Sequence, residues 1–379
     1  MPALMDNAHG AATLKINLDR VRDNYRILKQ QLGGIPCAGV VKANGYGLGA
    51  VEISETLYND GCRDFFVALM DEGIQLRQHL PENANIHILG GLLPGMAPVY
   101  HSHRLIPVLG SLPEIHDWKQ SMDAHPGPVD IHIDTGMSRL GLSPGEILKI
   151  ADDPDVIADL DINAVISHLV MADEPDGEIN NQQLQRFTDA LRFFPAAKTS
   201  LANSSGIFLS PDFHFDFGRP GAALYGLSPN TSKPNPMCQV VELKGKIVQV
   251  RDVDRPETVG YGATHRILDK GRIATVPVGY ADGYLRSLSN AGHAFVDGAP
   301  NDVARVDIVG RVSMDLITLD VSHVPERFVC PGASVELIGP RITADDLAAK
   351  AGTIGYEILT SLGQRYRRIY VDNNGPRPS

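Results

Sequence analysis

The chain has 379 residues, of which 43% are hydrophobic and 21% are charged, and its formal net charge is −11. This length exceeds the size at which a single hydrophobic core stops growing, so two domains are expected. The composition is that of an ordinary globular protein and excludes a disordered chain, and the negative charge argues against nucleic acid as a partner.

The cysteines and the first residues predict a cytoplasmic protein. Four widely spaced cysteines form no CxxC pair, so neither a zinc site nor a disulfide framework is expected. The N-terminus has no basic segment leading into an apolar one, and no stretch reaches 18 uninterrupted apolar residues. We therefore expect no metal and no membrane partner.

The first part of the chain alternates helical and strand patterns. "DRVRDNYRILKQQLGG" predicts a helix with Asp19 as its N-cap and Gly33 as its stop, and "IPCAGVVK" predicts a buried strand. Seven further strands are predicted at residues 65–69, 85–90, 105–110, 129–134, 162–167, 199–203 and 214–217. Eight strands alternating with helices favour a TIM-like α/β barrel, although an open doubly wound sheet would use the same alternation.

After about residue 235 the pattern changes to short β-branched runs such as "QVVELKGKIVQVRDV", "RIATVPVGY" and "SVELIG". Such runs, broken by Gly, Pro and Asp, predict a second, mainly β domain. The Pro-, Ser- and Asn-rich segment 226–236 is the expected boundary. The predicted domains are therefore 1–235, an α/β barrel, and 236–379, a mainly β domain.

Polar residues follow several of the predicted barrel strands. Lys42 ends the first strand, and a lysine amine can form a Schiff base with a carbonyl cofactor such as pyridoxal phosphate, although a lone lysine at a strand end usually just meets solvent. The carboxyl ends of barrel strands share one face, so the residues after later strands are expected nearby. Those residues are His168, Asp173, Asn203, Ser204, Arg219 and Gly221, with "NSSG" and "RPGA" able to cradle a phosphate.

"VVKANGYGLGA", residues 40–50, resembles the cofactor-lysine signature of bacterial alanine racemases. Further stretches resemble the same family in the same order: "HIDTGMSRLG", "SHLVMADEPD", "NSSGIFLSPDFHFDFGRPGAALYG", "GYGATH", "GYADGYLR", "GRVSMDLITLDV" and "TIGYEILTSLGQRYRRIYV". The resemblance covers nearly the whole chain, and the shared order makes coincidence remote.

The resemblance implies a pyridoxal-phosphate-dependent isomerase that interconverts L-alanine and D-alanine and supplies D-alanine for peptidoglycan. Lys42 would hold the cofactor as a Schiff base and act as one proton-transfer base. Tyr261 would be the opposite base, supplied by the partner subunit of a homodimer with shared active sites. Two bases are needed because the α-proton leaves one face of the substrate and returns to the other.

The same resemblance implies how the cofactor is held. His168 would lie against the pyridine ring and bond to Arg219, which would face the pyridine nitrogen. An arginine is always charged and only donates hydrogen bonds, so it leaves that nitrogen unprotonated and favours quick reprotonation over transamination. The other cofactor-binding residues would be Tyr46, Asn203, Ser204, Gly221, Ala222 and Tyr356.

Substrate contacts are implied in both domains. Arg139 would lie near the phenolic oxygen of the cofactor and the catalytic tyrosine, favouring the tyrosinate and touching the substrate carboxylate. The backbone N–H of Met314 would bind that carboxylate, and Asp315 would brace its loop. An entry corridor that admits only small amino acids would be formed by Asp173, Tyr280, Arg286, Arg311 and Ile354, with Tyr261 and Tyr356 at its narrow end.

Three positions depart from the family pattern. His132 stands where many relatives have a lysine whose carbamate orients the arginine equivalent to Arg139, and histidine cannot take that role. A bound chloride or a nearby carboxylate could hold Arg139 instead, or Arg139 is less well fixed. In the anchor loop, Gly45 replaces a common alanine and is expected to loosen the backbone, and Leu48 replaces a common histidine with no assigned effect.

Other functions remain open at this stage. A racemase of serine or of a broader range of amino acids would use the same machinery. An amino-acid decarboxylase of the same architecture would pair the pyridine nitrogen with an acidic residue and use a cysteine in the second domain, where this chain has Arg219 and Tyr261. A non-catalytic pyridoxal-phosphate-binding barrel would lack the second domain altogether.

Overall fold

The computed structural model describes residues 11–121, 127–373 and 375–377. The chain forms two compact units. One, the barrel unit, runs from Val21 to Cys238; the other, the β unit, combines the N-terminal segment through Arg20 with the chain from Gln239 onward. In the described ranges, every helix is too short or too polar to span a bilayer.

The helices of the described residues are α1 (Leu18–Gln31), α2 (Ala50–Asn59), α3 (Met70–Arg77), α4 (Ala97–His103), α5 (Leu112–Gln120), α6 (Pro144–Asp152), α7 (Glu178–Ala190), α8 (Asn301–Ala304), α9 (Ala344–Ala351) and α10 (Gly355–Ser361). The barrel unit contains β2 (Gly39–Val40), β3 (Asp64–Val67), β4 (Asn85–Ile88), β5 (Ile106–Leu109), β6 (Val129–His132), β7 (Ile162–Ile166) and β8 (Lys198–Ser200). The β unit contains β1 (Ala12–Asn17), β9 (Val241–Lys246), β10 (Gln249–Val253), β11 (Glu257–Val259), β12 (His265–Ile267), β13 (Gly271–Val276), β14 (His293–Val296), β15 (Arg305–Ile308), β16 (Ile317–Asp320), β17 (Ser334–Ile338), β18 (Arg367–Asp372) and β19 (Gly375–Arg377).

The strands of the barrel unit are parallel and lie side by side in chain order, from β2 to β8. An eighth segment, residues 216–220, closes the barrel by bonding on both sides. On one side, the Arg219 N–H donates to the carbonyl of Ala202, which follows β8, at 2.9 Å. On the other side, the N–H of Val40 on β2 donates to the Pro220 carbonyl at 3.0 Å. The predicted α/β barrel is confirmed, and the open doubly wound sheet is not formed.

The eighth segment differs from the strand predicted at 214–217. Phe215 has φ +52°, in the left-handed region, so the chain turns there and extends only afterwards. Pro220 has no N–H to donate to a ladder, which leaves this segment without regular strand pairing. The barrel therefore closes through a few separate hydrogen bonds two to three residues later than predicted.

Residues 11–20 lie in the β unit, whereas the sequence assigned residues 1–235 to the barrel. Strand β1 pairs with β9 in antiparallel and with β18 in parallel orientation. Its burial alternates, with Leu14 and Ile16 facing inward, which suits a sheet with one covered face. The second transition between the units falls after Cys238, three residues beyond the predicted boundary.

Helix α1 begins earlier than its sequence signals predicted. The side-chain oxygen of Asn17 accepts the Arg20 N–H at 3.1 Å, so Asn17 caps the helix and Asp19, the predicted cap, lies inside its first turn. Gly33, the predicted stop, has φ +64° two residues after the last helical residue. A left-handed glycine at that place ends a helix without steric cost.

The β unit is built on a ten-stranded sheet in the order β10-β13-β16-β15-β14-β17-β9-β1-β18-β19, and β11 and β12 form a separate hairpin. Helices α9 and α10 lie between β17 and β18 along the chain. Thr343 caps α9, since its hydroxyl accepts the Asp346 N–H at 3.1 Å. The mainly β second domain is confirmed.

Asn24 on α1 offers a test of how this helix is fixed to the barrel unit. Its buried amide donates to the carbonyls of Leu224 and Cys238 and accepts the Cys238 N–H at 2.6 Å. We expect Asn24→Ala to lower the free energy of unfolding by about 2–4 kcal/mol, because three backbone groups lose their partners. Urea unfolding measures this loss of stability, and Gln30→Ala, at an exposed position of the same helix, is the control. Equal unfolding midpoints for the two variants would contradict the prediction.

Candidate active site

Lys42 stands at the tip of a well-fixed strand. The Val41 N–H just before it donates to the Phe66 carbonyl at 2.8 Å on β3. The pKa of Lys42 is lowered from its ordinary value by burial and then by the positive charge of Arg139, while the charge of Glu72 acts in the opposite direction. The amine is therefore more often neutral, and a better nucleophile, than that of an exposed lysine.

The residues after Lys42 form a left-handed turn. Ala43, Asn44, Gly45 and Tyr46 have φ between 53° and 60°. Such a conformation costs about 1–2 kcal/mol for each residue with a Cβ, so the surroundings have to hold it in place. Within the turn, the Gly47 N–H donates to the Ala43 carbonyl at 2.7 Å, and the Asn44 side chain accepts the Ala50 N–H at 3.0 Å.

The two departures of the anchor loop have structural explanations. Gly45 adopts φ +60°, and a Cβ there would lie 3.1 Å from the backbone nitrogen of Ala50, so glycine suits the turn better than the common alanine. Leu48 is fully buried, so it is a core residue of the barrel unit.

The predicted phosphate-binding residues of the barrel unit lie together. The Ser204 hydroxyl, which is buried, accepts the N–H groups of Gly221 at 2.9 Å and Ala223 at 3.2 Å. The Tyr46 hydroxyl lies against Gly221, where a Cβ would be only 2.2 Å away from it. Ala222 begins a short 3-10 turn, so its N–H has no acceptor inside the turn. Clustered N–H and hydroxyl donors of this kind suit a phosphate.

Arg219 is 5% exposed and is held by backbone carbonyls. Its guanidinium donates to the Ser200 carbonyl at 2.8 Å and to the Ser167 carbonyl. Burial lowers its pKa to about 10, against the charge of Asp130, so it remains a cation at neutral pH. The expected bond from His168 to Arg219 is not among the hydrogen bonds of the described residues.

Two imidazoles at this end of the barrel are neutral. Burial, followed by the positive charge of Arg219, lowers the pKa of His168 to about 3. Burial, again followed by the charge of Arg219, lowers the pKa of His132 to about 4, although Asp134 acts in the opposite direction. Both rings are therefore uncharged at neutral pH and can lie beside cations without repelling them.

The loop that carries Arg139 is organised by Asp134. Its carboxylate accepts the N–H groups of Gly136, Met137 and Ser138 at 2.8–3.0 Å. Burial alone would raise the pKa of Asp134, but these hydrogen bonds outweigh it and hold the pKa below its usual value. The turn is therefore fixed by a charged side chain that the sequence motifs did not single out.

Arg139 opens onto a cavity of about 270 Å³ whose lining includes His132 and Glu114. The Glu114 carboxylate accepts the backbone N–H groups of Gly110 and Leu92, so it is already engaged. In residues 11–121, 127–373 and 375–377, no carboxylate forms an ion pair with Arg139. Within those residues, the alternative of a carboxylate that holds Arg139 in place of the carbamate finds no support.

Gln183 joins the Arg139 loop to the His168 loop and was missed by the sequence reasoning. Its fully buried amide donates to the Thr135 hydroxyl and to the His168 carbonyl, both at 3.0 Å, and accepts the Val170 N–H at 2.9 Å. Gln183 lies four residues before buried Phe187 on α7, so the two share one face of the helix. This helical spacing could have predicted that Gln183 is buried.

Tyr261 lies in the β unit on a turn between two left-handed glycines, Gly260 (φ +70°) and Gly262 (φ +72°). Its side chain is 74% exposed in the single chain. The Arg311 guanidinium lies close by, since a Cβ on Gly262 would be 3.4 Å from its Cζ. The turn thus presents the phenol outward, and the Arg311 guanidinium packs against the turn at Gly262.

The Met314 loop is joined to the Tyr280 loop within the same unit. The Tyr280 N–H donates to the Ser313 carbonyl and the Ala281 N–H to the Met314 carbonyl, both at 3.0 Å. A Cβ on Gly279 would lie 2.3 Å from the Met314 oxygen, so only glycine allows this approach.

Arg365, which the sequence reasoning did not select, connects these two loops. It donates to the Asp315 carboxylate at 2.8 Å and to both oxygens of Asp282 at 2.6 and 2.8 Å. Asp282 in turn accepts the Gly279 N–H at 2.9 Å. Asp315 is therefore one end of a bracing ion-pair network.

The remaining predicted residues are located as follows. Asn203 accepts the Gly206 N–H at 2.9 Å, which orders the segment after β8. Asp173 is exposed in the barrel unit, and its carbonyl accepts the Thr231 N–H. The β unit holds exposed Arg286, Ile354 and Tyr356.

Comparison with known proteins identifies the family. The model of the alanine racemase N-terminal domain matches residues 16–229, and that of the alanine racemase C-terminal domain matches residues 240–370. An alanine racemase of Rhodospirillum rubrum is 47% identical over 362 residues, which cover 95% of this chain and 96% of that relative. This chain belongs to the alanine racemase family. A catabolic alanine racemase of Mesorhizobium japonicum is 45% identical and covers 97% of this chain and 95% of its own length.

Solved structures of alanine racemases have the same fold. The alanine racemase of Bartonella henselae with covalently bound pyridoxal phosphate has a TM-score of 0.89 and 39% identity, over 95% of this chain and 99% of that one. The biosynthetic alanine racemase of Pseudomonas aeruginosa has a TM-score of 0.88 and 31% identity over the same shares. The family predicted from the motifs is confirmed.

The lowered pKa of His132 predicts acid sensitivity. Between pH 7 and pH 5 the unfolded imidazole takes up a proton, whereas the folded one, with a pKa of about 4, stays neutral. The wild type should therefore lose about 2 kcal/mol more stability over this interval than His132→Gln. Urea unfolding at both pH values measures the difference. The exposed control His116→Gln should follow the wild type, and an equal loss in all three proteins would contradict the prediction.

Proposed function

We propose that this chain interconverts L-alanine and D-alanine with pyridoxal phosphate attached to Lys42. The observation that carries the proposal is the convergence, at one end of a barrel, of a part-buried lysine of lowered pKa, a cradle of phosphate-binding donors and a buried arginine. These residues fit the cofactor: an amine suits its aldehyde, the cradle its phosphate, and Arg219 an acceptor nitrogen.

Pyridoxal phosphate, when bound, withdraws electrons from the substrate Cα and so acidifies the α-proton. Lys42 then takes or gives this proton at Nζ on one face of the substrate, and its lowered pKa favours the neutral amine that accepts it. The phenol oxygen of Tyr261 serves the opposite face. Arg139 favours the ionised phenol and orients the substrate carboxylate, together with the Met314 N–H.

Arg219 limits side reactions. Its guanidinium only donates hydrogen bonds and keeps its proton at neutral pH, so it does not protonate an acceptor nitrogen placed against it. A carboxylate at this position would stabilise the protonated nitrogen and strengthen electron withdrawal. The arginine therefore favours return of the proton to Cα.

The exposure of Tyr261 supports a homodimer whose active sites are shared between subunits. A base that serves one face of a substrate has to be shielded from water, yet this side chain is 74% exposed in the single chain. Large apolar side chains of the β unit are exposed as well, namely Leu268, Met314, Leu316 and Ile354. Such exposure is typical of surfaces that bind another protein.

A cytoplasmic location and a role in D-alanine supply for peptidoglycan complete the proposal. Cys37, Cys62, Cys238 and Cys330 are free thiols, as suits a reducing compartment. The corridor residues Tyr280, Arg286, Arg311, Ile354 and Asp173 would restrict the substrate to small amino acids.

Racemisation can be measured by proton NMR of L-alanine in D2O with the purified protein and pyridoxal phosphate. We expect loss of the α-proton signal together with formation of D-alanine, and neither with Lys42→Ala. Tyr261→Phe should still exchange the α-proton on the face served by Lys42 but should form the opposite enantiomer more slowly. Tyr58→Phe is the control and should behave as the wild type does. Absence of exchange from both alanine enantiomers would contradict the proposal.

Shared active sites can be tested by mixing two inactive variants. Each heterodimer of Lys42→Ala and Tyr261→Ala subunits contains one site with both bases if the site spans the two subunits. After unfolding and joint refolding we expect about a quarter of wild-type activity, since half of the dimers carry one intact site of two. Activity that stays at the level of the separate variants would show that each site lies within one subunit.

A further inference from the structure

Glu72 connects the loop after β3 to the residue that follows Lys42. One carboxylate oxygen accepts the Ala43 N–H at 2.6 Å, and the other accepts the N–H groups of Ala68 at 2.8 Å and Leu69 at 3.0 Å. Glu72 is the third residue of α3, and its side chain is only partly exposed. A single charged group therefore holds together two neighbouring strand-to-helix loops.

The same arrangement recurs around the barrel. Glu114 and Glu146 are the third residues of α5 and α6, and each accepts an N–H from its own loop. Each also accepts an N–H from the loop after the preceding strand, Glu114 from Leu92 at 3.2 Å and Glu146 from Leu112 at 3.1 Å. The glutamate at this helical position is thus a recurring clamp between adjacent units of the barrel.

The clamp made by Glu72 differs in what it holds. Its partner Ala43 is the first residue of the left-handed turn, with φ +53°. A turn of this kind persists only where surrounding bonds fix it, and the Ala43 N–H has Glu72 as its acceptor. The carboxylate charge also lies close enough to Lys42 to act on its pKa, raising it against the effect of burial.

We propose that Glu72 is a positioning residue for Lys42, which fixes the left-handed turn and sets the charge beside the amine so that Nζ meets the cofactor aldehyde. The inference rests on the proposed function. In the attachment step, Nζ attacks the aldehyde carbon, a C=N bond forms and one water leaves. Glu72 touches neither reacting atom and acts only through the backbone and the charge at Lys42.

The test measures attachment itself rather than turnover. The full-length protein is freed of cofactor, pyridoxal phosphate is added, and the rate of covalent attachment at Lys42 is followed by absorbance between pH 6 and 10, roughly spanning the lysine titration. Borohydride trapping and mass spectrometry identify the modified residue. Glu72→Gln is compared with Glu146→Gln, which removes the charge of an equivalent clamp that binds Leu112 and Ser143, and Glu146 is not among the charges that shift the pKa of Lys42.

We expect Glu72→Gln to lower the plateau rate about tenfold, because the amine is less well aimed. The midpoint of its pH profile should move to lower pH, because a negative charge beside the amine is lost. Glu146→Gln should leave both unchanged while losing similar thermal stability. Glu72→Asp keeps the charge but is one methylene shorter, so its plateau should fall with its midpoint retained.

The outcomes separate the two proposals. If Glu72→Gln matches Glu146→Gln in plateau and midpoint, Glu72 is only a structural clamp and the inference is overturned. If Glu72→Gln does not fold, Glu72→Asp provides the test instead. A plateau rate of attachment in Glu72→Asp equal to that of the wild type would overturn the inference. If the wild type attaches no pyridoxal phosphate at Lys42, the proposed function fails, whatever Glu72 does.

Discussion

Repulsion between positive charges is the constraint on which the proposed active site depends. The charges lie at the mouth of the barrel, the end at which Lys42, Arg139 and Arg219 are found. The charge of Arg139 acts on Lys42, and the charges of Arg219, Lys42 and Arg139 all act on His168. Asp130 is the acidic group whose charge acts on Arg219. Burial first, and then the charges of these cations, lower the pKa of His168 to about 3, so its ring stays neutral. Binding of an anion would relieve this repulsion, which fits the phosphate and the carboxylate of the proposed cofactor and substrate.

The two units contribute different kinds of residue to the proposed reaction. The barrel supplies groups at the ends of parallel strands, which backbone bonding holds rigidly, as the buried and doubly bonded Arg219 illustrates. The β unit supplies loops joined by hydrogen bonds and by the Arg365 ion pairs, with Tyr261 presented outward. The proposed reaction needs two faces of one carbon, and the residues proposed for the two faces lie in different units.

The sequence predicts those features that depend on local pattern and order. Lys42 and Arg219 were found because each follows an apolar run, and the barrel because such runs alternate with helical spacing. The left-handed turn could not be predicted from the sequence, because Gly45 is its only residue that adopts positive φ angles at no steric cost. Glu72 was missed because its partner lies 29 residues away, and strand β1 was misassigned because its partners lie more than 200 residues away. Hydrogen bonds between distant segments leave no periodic signal in the chain.

The position of β1 has a consequence for how this protein acquires its structure on the ribosome. Strand β1 lies in the sheet between β9 and β18, and both of these strands are made well after it. Translation of the chain between β1 and β9 takes roughly 11–45 s, and during that time the barrel unit can fold while β1 has no strand to pair with. One edge of β1 is covered when β9 is made and the other only when β18 follows, and unpaired strand edges are the kind of surface that recruits other chains.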